Sequence, residues 1–167
     1  AQRQIDVELY LVSSGKSADR VEEALIAAVQ RGVRVRCLFD SFGSRGFRTA
    51  QRRRWQEAGI ELRFYNPLRW TRGLENFYRD HRKLLLVDQQ VAYIGGTGLT
   101  DEFWDPDAEQ SQWHEVMVRV KGPVVADWQS LFDYQWGSCI HRFFWQQNNS
   151  PKQAPNHSMP RLPVTNL

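Results

Sequence analysis

The sequence predicts an α/β domain built on a mixed, largely parallel β-sheet flanked by helices, and three observations carry that expectation. Ile5, Val7, Leu9 and Leu11 alternate at the period of a strand; Val21, Leu25, Ala28 and Val29 recur at helical spacing; Val33, Val35, Cys37 and Phe39 alternate again. Strand, helix and strand in that order build a parallel pair through a right-handed crossover.

The elements follow in order along the chain. A first strand is expected over residues 5–12 and a helix over 18–31, with Ser17 as N-cap and Gly32 as the stop. The second strand ends at Asp40 and opens into the Ser41–Ser44 loop, at the carboxyl edge of a parallel strand. Sheets of this class place ligands there, so Asp40 is a candidate to support a site. A helix over 48–58 ends at Gly59 and feeds a strand over 60–64, and residues 66–76 form a long loop. The apolar runs Leu84–Val87 and Val91–Ile94, joined by Asp88-Gln89-Gln90, read as a hairpin with His81 and Lys83 at its entrance. A polar loop at 100–112 and a strand at 114–120 come next. Gly122-Pro123 then opens a helix with Val124, Val125, Trp128, Leu131, Phe132 and Trp136 on its core side. Residues 1–147 are read as one domain, and 148–167, rich in Asn, Pro, Gln and Ser without a period, as a disordered linker or tail.

The 167 residues suffice for one domain with a real core, and no apolar run approaches membrane-spanning length. Only Cys37 and Cys139 are present, which argues against a disulfide framework and for a reducing compartment. The formal charge of +3 weakly favours an anionic partner. The abrupt opening on Ala1 reads as a piece of a longer chain. His114-Glu115 lacks the second histidine of a zinc-protease helix, and no Cys-x-x-Cys occurs, so neither a metal site nor a cofactor is expected.

The chemistry concentrates in His81-Arg-Lys-Leu-Leu-Leu-Val-Asp88. Side chains two apart on an extended segment share a face, so His81 and Lys83 would project together. An imidazole can attack phosphorus while an ammonium beside it neutralises the non-bridging oxygens, which amounts to metal-free phosphoryl transfer. Asp88 falls at the hairpin turn, where spacing suggests that it orients the turn instead of attacking substrate. Gly95, Gly96, Thr97 and Gly98 follow, small residues that would let backbone N–H groups approach an oxyanion. The bland alternative is a strand start, a solvated lysine and a turn cap.

This pattern resembles that of the phospholipase D superfamily, His-x-Lys-x-x-x-x-Asp followed at short distance by Gly-Gly. Within it the chain is most similar to the amino-terminal half of a bacterial cardiolipin synthase. Ala27–Arg36, the Asp40–Ser44 loop, Asp80–Lys83 and Val120–Val124 carry that likeness, which covers about residues 5–137. The resemblance implies His81 as nucleophile or its acid/base counterpart, Lys83 as phosphate ligand, Asp88 as the conventional third member, and Glu115 as an acid that holds the histidine. Gly98 stands where the family usually has Asn. The family pairs two such motifs, and His114, His141 and His157 lack a lysine two residues later, so a second half is implied, from a longer parent chain or a homodimer. The implied activity is phosphatidyl transfer on an anionic phospholipid, by peripheral contact at the cytoplasmic side of a bacterial inner membrane. A nuclease or other phosphodiesterase of the same superfamily is the second reading, with nucleic acid as partner. A catalytically silent lipid-binding or assembly half is the third.

Two weaker signals stand beside the motif. Arg45, Arg48 and Arg52–Arg54 could meet headgroups or a nucleic-acid backbone, or form a solvated helix face. Phe64, Tyr65, Trp70, Phe77 and Tyr78, with Arg69 and Arg72, suit a membrane interface, base stacking or core packing.

Overall fold

The structure, a computed structural model, describes residues 1–104 and 115–144. Six strands form one sheet in the order β3-β2-β1-β4-β5-β6. They are β1 (Gln4–Leu9), β2 (Arg34–Asp40), β3 (Glu61–Tyr65), β4 (Leu84–Val87), β5 (Val91–Gly95) and β6 (Met117–Lys121). The helices are α1 (Lys16–Gln30), α2 (Thr49–Glu57), the single turn α3 (Asp101–Trp104) and α4 (Val124–Phe144), with a 3₁₀ segment at Trp70–Phe77. The sheet is mixed, but its parallel part is confined to β1, β2 and β3, whereas β1 with β4, β4 with β5, and β5 with β6 pair antiparallel. Between β4 and β5 the reason is the short link, which cannot carry a parallel crossover. The expected tail and the 105–112 part of the polar loop, with His114, lie outside the described residues.

Two apolar layers sandwich the sheet. Val35, Cys37 and Phe39 of β2 pack with Leu25, Ala28, Phe47 and Trp55 under α1 and α2. On the other face Leu38, Leu84, Leu86 and Ala92 pack against Val125, Phe132 and Trp136 of α4. Cys37 is fully buried, and burial raises its thiol pKa well out of the reactive range.

Three local expectations are corrected. Strand β1 stops at Leu9 instead of residue 12, because residues 12–14 turn to bond neighbouring loops: Val12, Ser13 and Ser14 N–H donate to the carbonyls of Gly43, Leu99 and Gly46. Ser17 is not the N-cap of α1. The N-cap position is Gly15, and Asp101, remote in sequence, accepts from the Lys16 and Ser17 amides at 3.1 and 2.8 Å and from the Ser17 hydroxyl at 2.7 Å. A Cβ on Gly15 would collide with that carboxylate, so the residue must be small. On α4, Val124 and Leu131 are exposed, because the buried stripe runs Val125, Gln129, Phe132, Trp136. Gln129 belongs to it through polarity: its Nε2 donates to Asp6 at 2.8 Å.

Candidate active site

The carboxyl ends of β1 and β2, the amino end of β4 and the residues after β5 meet at one edge of the sheet. Asp40, fully buried at the end of β2, organises this edge. Its Oδ1 accepts the amides of Phe42 and Gly43 at 2.8 and 3.0 Å, and its Oδ2 accepts the amide of Asp80 at 3.1 Å. Arg79 adds an ion pair at 3.6 Å. The candidate supporting role of Asp40 thus has a physical form: one carboxylate ties the β2 loop to the residue before His81.

His81 is exposed and its ring stacks on Tyr10, centroids 3.9 Å apart and 15° from parallel. Lys83 Nζ donates to the His81 carbonyl at 2.9 Å and stands 5.7 Å from the Tyr10 ring centroid. Imidazole and ammonium therefore share the Tyr10 side, as alternation along an extended segment requires, while Arg82 turns inward. Tyr10 escaped the sequence reading, although its position just past β1, at the ligand-bearing edge, was a usable signal.

Arg82 reaches a buried acidic pair that sequence spacing did not show. Its Nε and Nη2 bond the Asp80 carboxylate at 3.0 and 3.2 Å, and its Nη2 lies 3.1 Å from Glu8 Oε1. That last approach is not aligned as a hydrogen bond, so it acts through charge alone. The Glu8 side chain is 1% exposed; burial first, then the neighbouring Asp80, push its carboxyl up to about 9 against the Arg82 charge. Burial acts on Asp80 in the same direction, but Glu8 and Arg82 together hold Asp80 below its ordinary value. Glu8 thus carries the proton of the pair.

A pH dependence follows. Between about pH 5 and pH 9 the folded state retains the Glu8 proton that the unfolded chain gives up, so stability falls as pH rises through that window. Glu8→Gln keeps the neutral shape and should flatten the melting temperature across the same window. Parallel profiles for parent and variant would refute the assignment.

Asp88 stands elsewhere. It lies seven residues on, at the opposite end of β4 from His81. Its Oδ1 accepts the amides of Arg3 and Gln4 at 2.7 and 2.9 Å, and its Oδ2 that of Gln2 at 2.8 Å. Asp88 and Gln89 take positive φ values of 53° and 58°, closing the hairpin, and Gln90 N–H donates to the Val87 carbonyl. The Gln4 amide foremost, with those of Arg3 and Gln2, holds the Asp88 carboxyl at about 2 despite some desolvation. This anchoring is present above the ordinary carboxylate range and is lost as pH falls toward 2. Asp88→Asn should accordingly lower the urea midpoint near neutral pH, and the gap should close in acid; a gap unchanged at low pH would refute the anchoring.

The glycine run is also explained by packing. The Gly95 and Gly96 amides donate to the carbonyls of Lys83 and Val116, so strand pairing engages the groups that were expected to face an oxyanion. A Cβ on Gly95 would strike β6 backbone, and one on Gly96 the Glu115 carboxylate. Glu115 thus sits against Gly96, beside the site edge. Gly98 lies tight on Leu11, whose carbonyl oxygen would be 3.0 Å from an added Cβ, so the family's usual Asn would need a local shift. Thr97 and Gly98 border an apolar groove of about 480 Å³ lined also by Leu9, Leu85, Tyr93 and Met117.

A sequence model of the family described as cardiolipin synthase, PLD-like domain, matches residues 1–136. The chain belongs to that family. Among relatives, a cardiolipin synthase of Oceanobacillus iheyensis is 31% identical over 136 residues, covering 81% of this chain and 28% of that protein. Cardiolipin synthase A of Edwardsiella ictaluri is 37% identical over 142 residues, covering 81% and 29%. The chain therefore spans less than a third of either relative. Two solved structures share the fold. Nuc of Salmonella typhimurium, a phospholipase D family member, has a TM-score of 0.58 at 22% identity, with 82% of this chain and 80% of that chain covered. NucT of Helicobacter pylori has 0.62 at 12%, covering 83% and 82%. This PLD-like domain accordingly carries its His-x-Lys segment at the edge where β1, β2, β4 and β5 converge.

Proposed function

We propose that this domain supplies one half of a phosphatidyl-transfer site, with an anionic phospholipid such as phosphatidylglycerol as substrate. The stacking of His81 on Tyr10 with the Lys83 ammonium on the same side carries the reading. His81 attacks phosphorus, the P–O bond to the leaving alcohol breaks, and the departing oxygen takes a proton from a histidine of the second half. In the return step that histidine accepts the proton of the incoming alcohol, the new P–O bond forms and the P–N bond breaks. The two histidines can exchange these roles. Lys83 swings from the His81 carbonyl to the non-bridging oxygens, where charge accumulates. Water as acceptor gives hydrolysis. Asp88 acts at a distance, by fixing the hairpin that carries His81 and Lys83, while Glu115 and Thr97 border the phosphate position. The second half comes from the parent chain or a second copy, and contact with the membrane is peripheral, on its cytoplasmic side.

None of the helices among the described residues is long and apolar enough to cross a membrane. The assembled protein, given phosphatidylglycerol vesicles and single-stranded DNA in parallel, should release glycerol and form the transfer product while leaving DNA intact. DNA cleavage without lipid turnover would establish the phosphodiesterase reading in its place.

A further inference from the structure

The stretch 68–78 is built inside out. Amide side chains hold its backbone from within: Asn66 Nδ2 donates to the carbonyls of Glu75 and Tyr78 at 2.7 and 2.9 Å. Asn76 accepts the Arg69 amide at 3.0 Å and donates to the Arg69 carbonyl at 2.8 Å, and Arg79 bonds the carbonyls of Asn66 and Asn76. Its apolar side chains face outward. Trp70 is fully exposed, Leu74 is 82%, Phe77 78% and Tyr78 69% exposed, with Leu68 beside them. A floppy loop can show apolar groups by chance, but a segment whose hydrogen bonds lock them outward presents a surface made for an apolar partner.

The surroundings name the partner. Arg79 lies over the ring of exposed Phe42, 5.5 Å from its centroid, and Arg45 covers the same ring at 4.5 Å, so the β2 loop extends the patch. Residues 42–48 and 66–78 contain Arg45, Arg48, Arg69 and Arg72 against Glu75 as their one acid, while Arg79 is turned inward onto Asp40. Aromatic and aliphatic tips within a cationic rim match an anionic bilayer surface, where rings settle at headgroup depth and arginines meet lipid phosphates.

We propose that residues 68–78 are an interfacial anchor that inserts Trp70, Leu74 and Phe77 into an anionic bilayer and so sets His81 at the level of lipid phosphodiesters. The link to the site is direct: Arg79 pairs with Asp40, and Asp40 holds the Asp80 amide next to His81. The anchor rests on the phosphatidyl-transfer reading for its purpose, not for its existence.

The test uses the full chain with vesicles of phosphatidylglycerol and phosphatidylcholine. Brominated acyl chains should quench a fluorescence component of the parent that is missing from Trp70→Phe. The triple variant Trp70→Ser, Leu74→Ser, Phe77→Ser should stay folded by circular dichroism and lose at least about tenfold in vesicle partitioning. In the assembled protein the same variant should lose vesicle turnover but retain turnover of a short-chain, monomeric phosphatidylglycerol. Absence of Trp70 quenching, undiminished partitioning of the triple variant, or loss instead of single-stranded DNA binding would each overturn the anchor. Turnover of vesicles by the triple variant at the parent rate would remove the anchor and leave phosphatidyl transfer standing. Trp70 quenching without lipid turnover by the assembled protein would do the reverse.

Discussion

His81→Asn in the assembled protein is expected to lower phosphatidyl transfer by about a thousandfold or more, since the reaction then loses either its nucleophile or its acid/base partner. The effect should fall on kcat. The exposed ring contributes little to folding, so the melting temperature should stay within about a degree or two of the parent. Lys83→Met should cost less, about a hundredfold, because it removes charge stabilisation and leaves the displacement itself possible. Parent-like turnover in His81→Asn would place the chemistry outside this half and leave it a binding or assembly module.

The largest effect on stability is expected at Arg36. Its guanidinium bonds Asp6 through Nε and Nη2 at 2.6 and 2.9 Å, reaches Asp133 at 2.8 Å, and lies over the rings of Phe132 and Trp136. Both partners of the main pair are buried, with side-chain exposures of 7% and 1%. Arg36→Met would leave Asp6 charged in the interior with only the amide donors of Gln4 and Gln129, at 2.5 and 2.8 Å. Loss of one partner from such a pair costs about 3–5 kcal/mol. Adding Asp6→Leu should recover much of that loss, because no charge is then stranded. Urea unfolding of the two variants reads both; a single variant within about 1 kcal/mol of the parent would show that α4 is held to the sheet by its apolar stripe alone.

Much of this fold was legible because its parts are local. Strand alternation, helical spacing and the stops at Gly32 and Gly59 locate β1 to β3 and α1 to α2 within a few residues, and the Asp88-Gln89-Gln90 hairpin was explicit. The misses are long-range. Asp101 caps α1 from 85 residues away, Gln129 is buried because Asp6 is, and the β1 end yields to bonds with Gly43 and Leu99, none of which a local window contains. At the site, period-two spacing placed His81 and Lys83 together, and the carboxyl-edge rule found Asp40. Tyr10 and the Glu8, Asp80, Arg82 cluster required knowing that β4 runs antiparallel beside β1, a fact of topology and not of spacing. The aromatic group divided: Phe64 packs on the core, whereas Trp70, Phe77 and Tyr78 stand in solvent. The arginines divided as well. Arg52 bonds the Ser44 and Phe47 carbonyls and Arg54 pairs with Glu22 while staying exposed, as Arg45, Arg48 and Arg53 are.

On the proposed path a histidine displaces the first alcohol before the second arrives, and the configuration at phosphorus reads this directly whichever histidine attacks. The assembled protein would be given a phosphorothioate analogue of phosphatidylglycerol of one configuration and an acceptor alcohol, and the product configuration determined by phosphorus NMR. Two successive in-line displacements predict retention. Inversion would mean that the acceptor attacks the phospholipid in a single step, and no phosphohistidine could then lie on the path.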